Sequence, residues 1–432
     1  MNVIRVGQRD YEARLKKLLA PSSLFDSEIE QRAREIVHAV EKGGDAALAE
    51  LTAKYNGIRL APKRFAVTAE ELKKAERTVS PELKKAIGLS ARNLASFSRK
   101  SLRKGWTARN AQGGVVGEKY DAFQRVGLYI PGGTAPLVST ALMTITLAKV
   151  AGCPEIVVCT PCNQAGEVNP GLLYAARVAG ATEIYRVGGA QAIAAMALGT
   201  KTIARTQKVF GPGNAYVVAA KRLLFGYVAI DLLPGPSEVL ILADDSARSA
   251  FIAADLLAQA EHGSGHERIW LVTTSATLMA SVEAEVNRQL PSLTRRGFIE
   301  KSLHENGWLV QVKNLEAGIA LANKLAPEHC EIMTRNPAAA AKKLKTSGAL
   351  CLGHFTPNVL GDYLAGPSHV LPTGGAGASF AGLTVDQFQR RTSLIEYSAA
   401  AVRKSLPALR EFAKVEGLDA HGMSAAIRVE DK

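Results

Sequence analysis

The sequence has few cysteines and no long apolar run. Its 432 residues include five cysteines, and so small and odd a number argues against a disulfide framework and for a reducing compartment. No uninterrupted apolar stretch approaches the roughly 20 residues that a membrane-spanning helix needs. Residues 1–20 carry basic side chains without an apolar core, which is unlike a secretory signal. These absences predict a cytoplasmic protein.

Motifs for nucleic-acid binding are also missing, although the chain is strongly basic. The formal net charge is +13 and the isoelectric point is near 9.5, and such a field attracts nucleic acids, anionic cofactors and acidic substrates alike. No aromatic residue is interleaved with the densest basic cluster, residues 99–104. We interpret this cluster as a solvated face and expect no nucleic-acid or membrane partner. A basic nucleic-acid-binding protein stays open as an alternative from charge alone.

The first hundred residues are predicted to be mainly helical, in a chain long enough for two or three domains. Residues 1–24 resemble a short strand or arm followed by a helix. Apolar residues at helical spacing then predict a pair of helices over 27–55, with a break at Gly43-Gly44, and further helices over 69–100, interrupted at Ser80-Pro81.

From residue 126 to 231 the pattern alternates between short β-branched strands and apolar helices. The predicted strands are 126–130, 155–158, 183–187 and 207–210, which indicates βαβ units and a parallel sheet. Three glycine turns precede helices, at 131–134, 188–189 and 211–213, where backbone N–H groups suit a phosphate. None spells Gly-x-Gly-x-x-Gly, and each glycine could simply permit a tight turn. Together they favour a nucleotide across the carboxyl ends of these strands.

A second alternating region follows the turn at 234–237. Its predicted strands are 238–243, 268–273, 308–312, 330–333 and 349–352, and its predicted helices are 247–262, 276–290 and 315–325. This pattern predicts a second α/β sheet. From about Gly382 the pattern becomes helical again.

Polar residues at the ends of these elements are the candidate ligands. Gln259 and His262 lie three residues apart at a predicted helix end, so their Cβ atoms would be about 5–6 Å apart on one face. Such a pair could bind one ion, but it is also typical of a solvated helix tip. Cys159 and Cys162 lack a second pair that would complete a four-ligand zinc site. Seven of the eight histidines follow the first sheet: His262, His266, His304, His329, His354, His369 and His421.

Nine short stretches in order along the chain form a more specific pattern. They are residues 126–137 (VGLYIPGGTAPL), 187–195 (VGGAQAIAA), 210–217 (FGPGNAYV), 235–238 (GPSE), 259–263 (QAEHG), 326–329 (APEH), 361–363 (GDY), 369–373 (HVLPT) and 416–421 (EGLDAH). In these stretches, from roughly Leu24 to the C-terminus, the sequence resembles the histidinol dehydrogenase family. Members of that family are zinc-dependent enzymes that oxidise L-histidinol to L-histidine with two NAD.

The resemblance implies an architecture. It implies an α/β fold with two Rossmann-like domains, each an incomplete and mostly parallel sheet, similar to aldehyde dehydrogenases and flanked by small helical N- and C-terminal segments. The expected division is an arm at 1–24, a zinc-binding catalytic domain of 25–125 and 235–381, an NAD-binding domain at 126–234 and a helical segment at 382–432. In a homodimer, that last segment would complete the partner's active site.

The resemblance also implies roles for individual residues. One zinc ion per subunit would be bound by Gln259, His262, Asp362 and His421. NAD would contact Tyr129, Gln191 and Asn214. Substrate would contact Ser237, His369 and Glu416 as well as His329 and the zinc ligands. The catalytic pair would be Glu328, which activates water, and His329, which accepts and releases protons. Glu416 and His421 would act across the dimer.

Three positions depart from the family's usual pattern. Ser368 lies where the family usually has Asn, and Cys330 lies where Leu is more usual. The stretch 375–377 lies where family members often carry Arg. These changes leave room for a relative that oxidises another polar alcohol, for example a sulfonated diol, and a zinc hydrolase is a further class. Glu416 favours a substrate with cationic or N–H donor groups, and therefore histidinol.

Overall fold

The computed structural model describes residues 1–19, 26–132 and 136–430. The predicted boundary at residue 24 and part of the glycine turn at 131–134 lie outside these described residues. The strands are β1 (Asn2–Ile4), β2 (Trp106–Arg109), β3 (Val115–Ala122), β4 (Arg125–Tyr129), β5 (Glu155–Cys159), β6 (Glu183–Tyr185), β7 (Lys208–Phe210), β8 (Ala229–Ile230), β9 (Glu238–Ala243), β10 (Arg268–Thr273), β11 (Gly307–Gln311), β12 (His329–Met333), β13 (Ala349–Leu352) and β14 (Gln389–Glu396).

Helices connect most of these strands. They are α1 (Tyr11–Leu18), α2 (Ser27–Asn56), α3 (Ala69–Thr78), α4 (Pro81–Ser101), α5 (Val138–Ala151), α6 (Pro170–Ala179), α7 (Gly189–Leu198), α8 (Ala215–Leu224), α9 (Ser249–Ala260), α10 (Ala276–Gln289), α11 (Arg296–Asn306), α12 (Leu315–Leu325), α13 (Pro337–Ala341), α14 (Asn358–Tyr363), α15 (Ala399–Glu416) and α16 (Asp419–Ala426). The helix break predicted at Gly43-Gly44 is confirmed, because α2 kinks at Gly44, whose φ is 51°.

Two parallel sheets form the centre of the fold. The first has the order β6-β5-β4-β7-β8, and the second has the order β1-β11-β10-β9-β12-β13. In each sheet the chain moves outward from a central strand and then returns to its other side. This reversal creates a switch point between β4 and β7 in the first sheet and between β9 and β12 in the second. The predicted fold class, two incomplete Rossmann-like sheets, is confirmed.

The helices before the first sheet pack on that sheet. Buried side chains of α2, among them Ile36 and Leu48, share one apolar cluster with Val157 and Val209 of the first sheet. Helices α3 and α4 pack against α5 and α6. The expected division of the chain into domains stays a prediction. This packing places residues 27–101 against the first sheet and its helices. The sequence could not show it, because an amphipathic helix does not reveal which sheet covers its apolar face.

A third, antiparallel sheet has the order β14-β3-β2. Strand β14 pairs with β3 along its whole length, from Gln389 opposite Ala122 to Glu396 opposite Val115. The expectation of a purely helical segment after Gly382 is therefore wrong for 389–396 and correct for α15 and α16. The strand was missed because most of its side chains are polar and exposed, so it has no alternating apolar pattern.

Helices α15 and α16 pack chiefly against each other. They leave large apolar side chains exposed, and Phe412 and Val415 are 68% and 84% exposed. Within the described ranges, no helix is long and apolar enough to cross a membrane.

Candidate active site

The predicted catalytic and substrate residues of the second sheet gather at the amino ends of its strands. Ser237 immediately precedes β9, Glu328 immediately precedes β12, and His329 is the first residue of β12. Helix α9, which follows β9, returns to the same edge and brings Gln259 there. The usual rule for such sheets favours the carboxyl ends. That rule agrees with the predicted nucleotide edge of the first sheet but would miss the group of residues at this edge of the second sheet.

Glu328 is a buried carboxyl group with defined donors. Its Oε2 accepts a hydrogen bond from the backbone N–H of Glu238 at 2.8 Å, and its carboxyl also accepts one from the Ser237 hydroxyl. Burial raises the pKa of Glu328 well above its ordinary value, and the nearby carboxylates of Glu238 and Asp362 raise it further. A carboxyl with a raised pKa is a stronger base once it is ionised, so Glu328 suits proton transfer.

His329 lies beside Glu328 and is neutral. Its Nε2 is 3.9 Å from Glu328 Oε1 and 3.8 Å from Asp362 Oδ1. Burial, together with the proximity of His369 and His262, lowers the pKa of His329 to about 3. A neutral imidazole can accept a proton, which is the role predicted for this residue.

His369 is held in one tautomer by its neighbours. Its Nδ1 is 3.0 Å from the backbone oxygen of Asp362, which can only accept, so Nδ1 carries the proton. Burial lowers the pKa of His369 to about 4, so the ring is neutral and Nε2 accepts from the Thr140 hydroxyl at 3.1 Å. Sequence reasoning missed Thr140. It belongs to α5, so this contact ties the first-sheet domain to the site.

Three of the four predicted metal ligands come together within the chain. Gln259 is 1% exposed, and its Nε2 is 3.4 Å from Nδ1 of His262. Helix α9 ends at Ala260 rather than at the predicted His262, which lies in the following turn. On α14, Asn358 donates to Gln259 Oε1 at 3.3 Å, and Asp362 follows one helical turn later on the same face.

The chemistry of this donor set fits zinc. An imidazole and a carboxylate are ordinary zinc ligands, whereas the carbonyl oxygen of a glutamine is an unusual one, and the buried Asn358 Oδ1 next to them has no hydrogen-bond partner. In the described part of the chain, no group of three or more His, Cys, Asp or Glu side chains could hold a metal ion. Of the four predicted ligands, His262, Asp362 and His421 are of those residue types, and His421 lies on the C-terminal helix α16.

The remaining predicted residues, Glu416 and His421, are exposed on the C-terminal helices. Within residues 1–19, 26–132 and 136–430, neither side chain makes a hydrogen bond or an ion pair. Within the described part of one chain, no hydrogen bond or ion pair therefore links Glu416 or His421 to the other predicted site residues.

The predicted NAD residues lie at the carboxyl ends of the first sheet. The Tyr129 hydroxyl accepts a hydrogen bond from the Gly189 N–H at 3.0 Å, which joins the end of β4 to the start of α7. Gln191 is buried, and its Nε2 has no protein partner. Asn214 is exposed and caps α8 by accepting from the N–H of Val217 at 3.1 Å. The unpaired buried amide and the exposed cap thus leave polar atoms at the end of the sheet where folds of this kind generally bind ligands.

A buried ion pair fixes the glycine turn after β7. Gly211 has φ of +110°, and a Cβ there would lie 2.1 Å from the backbone oxygen of Tyr129, so only glycine fits. Asp231 Oδ2 accepts from its N–H at 2.8 Å, and Lys221 Nζ donates to its carbonyl at 3.0 Å. Lys221 also pairs directly with Asp231, and both side chains are 0% exposed. Sequence reasoning missed this pair; the only available signal was a lysine on the apolar face of α8.

Replacing Lys221 should be strongly destabilising. Lys221→Met leaves Asp231 buried without its cation, and we expect a loss of about 3–5 kcal/mol in the free energy of unfolding. Equilibrium unfolding in urea measures this loss of stability. Lys221→Met/Asp231→Leu should recover most of the loss, and Lys201→Met, at an exposed lysine, should change stability by less than about 0.5 kcal/mol. A single Lys221 variant as stable as the wild type would contradict this prediction.

Cys159 and Cys162 are free and poorly reactive. Burial raises the pKa of both thiols, most strongly at Cys159, so neither is a thiolate at neutral pH.

Comparisons with known proteins extend over almost the whole chain. A family model described as histidinol dehydrogenase matches residues 20–429, a range that includes every predicted site residue. The chain belongs to the histidinol dehydrogenase family. The family resemblance predicted from the sequence is therefore confirmed, and the protein is an oxidoreductase.

Individual members of the histidinol dehydrogenase family are similar over their full length. The histidinol dehydrogenase of Bacteroides thetaiotaomicron is 43% identical over 432 residues, covering 99% of each chain. That of Bradyrhizobium diazoefficiens is 44% identical over 420 residues, covering 97% of each chain. The crystal structure of histidinol dehydrogenase from Elizabethkingia anophelis matches with a TM-score of 0.94 and 33% identity, covering 99% of this chain and 98% of that one.

Proposed function

We propose that this enzyme oxidises L-histidinol to L-histidine through L-histidinaldehyde, with zinc and two NAD. The observation that carries the proposal is the convergence of Glu328, a neutral His329, Asp362 and His369 at one buried edge of the second sheet. Two successive oxidations at one site need a base for the alcohol and a base for water. The adjacent pair Glu328 and His329 can supply both.

Gln259, His262 and Asp362, with His421, would hold the zinc ion. Bound zinc would orient the polar groups of the substrate and polarise its oxygen. Tyr129, Gln191 and Asn214 would hold NAD, which accepts a hydride from the substrate carbon in each oxidation.

The proton transfers follow from the states of the two catalytic residues. In the first oxidation His329 accepts the hydroxyl proton as the hydride leaves, because its imidazole is neutral. Water then adds to the aldehyde carbon while ionised Glu328 accepts one of its protons, and His329 returns its proton to the aldehyde oxygen, which gives the neutral hydrate and a neutral His329. In the second oxidation the hydrate loses a hydroxyl proton to His329 and a hydride to the second NAD. Each oxidation thus transfers two electrons.

Two of the three departures from the family pattern, Ser368 and Cys330, do not favour a different alcohol. Ser368 is buried, with its hydroxyl donating to the carbonyl of Met143 at 3.2 Å, and Cys330 lies in an apolar cluster of the second sheet. Neither side chain faces the catalytic pair, which supports histidinol rather than a sulfonated diol as the substrate.

We infer that two copies of the chain share their active sites. The C-terminal helices expose Phe412 and Val415 beside the predicted Glu416, and α14 exposes Leu360 and Tyr363 beside Asp362. Apolar surface of this extent is typical of a protein interface. A second copy that packed its C-terminal helices against α14 would cover both surfaces and bring the partner subunit's His421 to the zinc site.

The state of the cysteines supports a cytoplasmic location as part of this proposal. All five are free, and four of them are buried. A reducing compartment keeps such thiols unpaired.

The stoichiometry of NADH formation tests the proposed reaction. Purified enzyme with limiting histidinol should form two NADH per substrate, lose this activity on chelation and regain it with zinc. A sulfonated diol oxidised in place of histidinol would select the related-dehydrogenase alternative. Ester hydrolysis without NAD would indicate a zinc hydrolase, and salt-dependent binding to nucleic acid without NADH formation would indicate the non-enzyme alternative.

A further inference from the structure

Two buried carboxyl groups lie where the site-bearing elements meet. Asp255 is on α9, one helical turn before Gln259, and Glu331 is on β12, two residues after His329. They are 8% and 0% exposed, and neither forms an ion pair with a lysine or arginine in the described part of the chain. The proposed mechanism uses neither residue.

The two carboxyl groups lie within hydrogen-bonding reach of each other, and Glu331 Oε2 has no other hydrogen-bond partner in the described residues. A hydrogen bond between carboxyl groups needs a proton on one of them, because an ionised carboxylate can only accept. Burial raises the pKa of Asp255 to about 6 and that of Glu331 well above its ordinary value. The pair therefore shares a proton and joins α9 to β12.

Asn358 connects this pair to the metal ligands. Glu331 Oε1 accepts from the backbone N–H of Asn358 at 2.8 Å, which fixes the start of α14 to β12. The Asn358 side-chain amide donates to Gln259 Oε1 at 3.3 Å. Asp362 follows one helical turn later on the same face of α14, so its position depends on the same hydrogen bond between Asn358 and Glu331.

We propose that Asp255, Glu331 and Asn358 form a positioning unit that presets Gln259 and Asp362 as metal ligands. The proposal rests on the proposed zinc site. The terminal amide of a glutamine rotates freely between two similar orientations. A donor from Asn358 selects the orientation in which Oε1 faces α14, and the second lone pair of that oxygen stays available for a cation. Outer-shell contacts of this kind typically contribute 10–100-fold to metal affinity.

The experiment compares zinc binding by purified variants, measured by competition with a chromogenic chelator, with the melting temperature of each metal-free protein. Asp255→Asn keeps a hydrogen bond, because an amide can donate to ionised Glu331, and zinc affinity should stay within about threefold of the wild type. Asp255→Leu keeps the size but loses the bond, and zinc affinity should fall about 10–100-fold. Asn358→Ala should cause a similar loss of zinc affinity. This variant tests the positioning role if Asp255→Leu does not fold.

Asn336→Ala is the matched control. Asn336, like Asn358, is an asparagine at the start of a helix, but its side chain only caps α13. It should lower the melting temperature slightly and leave zinc affinity unchanged. The positioning role is overturned if Asp255→Leu and Asn358→Ala bind zinc as tightly as the wild type, or if Asp255→Asn loses as much affinity as Asp255→Leu. A wild-type protein that binds no zinc would overturn the proposed zinc site itself. If the wild type binds zinc and turns over substrate normally, and the variants bind zinc as tightly as the wild type, only the positioning unit is overturned.

Discussion

Glu328→Gln should lower kcat for the conversion of histidinol to histidine by about 10²–10⁴-fold, the usual contribution of a general base. Glutamine has the size of glutamate, and its carbonyl can still accept from the N–H of Glu238, so the fold should be preserved. What is lost is the ability to take a proton from water. Zinc content should be unchanged, because Glu328 is not a predicted ligand.

The defect of Glu328→Gln should be concentrated in the second oxidation. Histidinaldehyde supplied as substrate with one NAD isolates that step, and stopped-flow detection of NADH measures it. Glu155→Gln is a suitable control, because its carboxylate is half exposed and binds Arg125 and Gln124 at the amino ends of the first sheet's strands, away from the proposed site. A normal rate from the aldehyde in Glu328→Gln would assign water activation to another group.

The parallel sheets could be predicted closely from the sequence. Strands buried on both faces read as continuous apolar runs, and β9 was predicted with the bounds that the structure shows, Glu238–Ala243. Helix α12, Leu315–Leu325, was also predicted in full, because its apolar periodicity is regular and it ends before Ala326, the only non-glycine residue of the described chain with positive φ.

Contacts between distant residues could not be predicted. Thr140 and His369 are separated by 229 positions, and Asn358 and Gln259 by 99, so no local pattern marks either hydrogen bond. For Gln259 and His262 the spacing alone left a solvated helix tip open. The structure buries Gln259 against Asn358, which a solvated tip would not do.

Mixing two inactive variants should restore activity if the sites are shared between subunits. Gln259→Ala removes a ligand from the body of the chain, and His421→Ala removes one from the C-terminal helices. In a mixed dimer, the intact body of one chain meets the intact C-terminal helices of the other, so one of the two sites is complete. After random exchange of subunits, about a quarter of all sites should be active.

The result distinguishes shared sites from sites within one chain. If His421 bound zinc in its own subunit, every site of the mixed dimer would lack one ligand and the mixture would stay inactive. Two variants of the body, Gln259→Ala and Asp362→Ala, form the control, because a mixed dimer of these has a damaged body at both sites in either arrangement. Turnover and bound zinc should rise together in the first mixture and should not rise in the control mixture. His421 is exposed beside apolar side chains that no other described part of one chain covers, and this is the reason to expect that a second copy provides the fourth ligand.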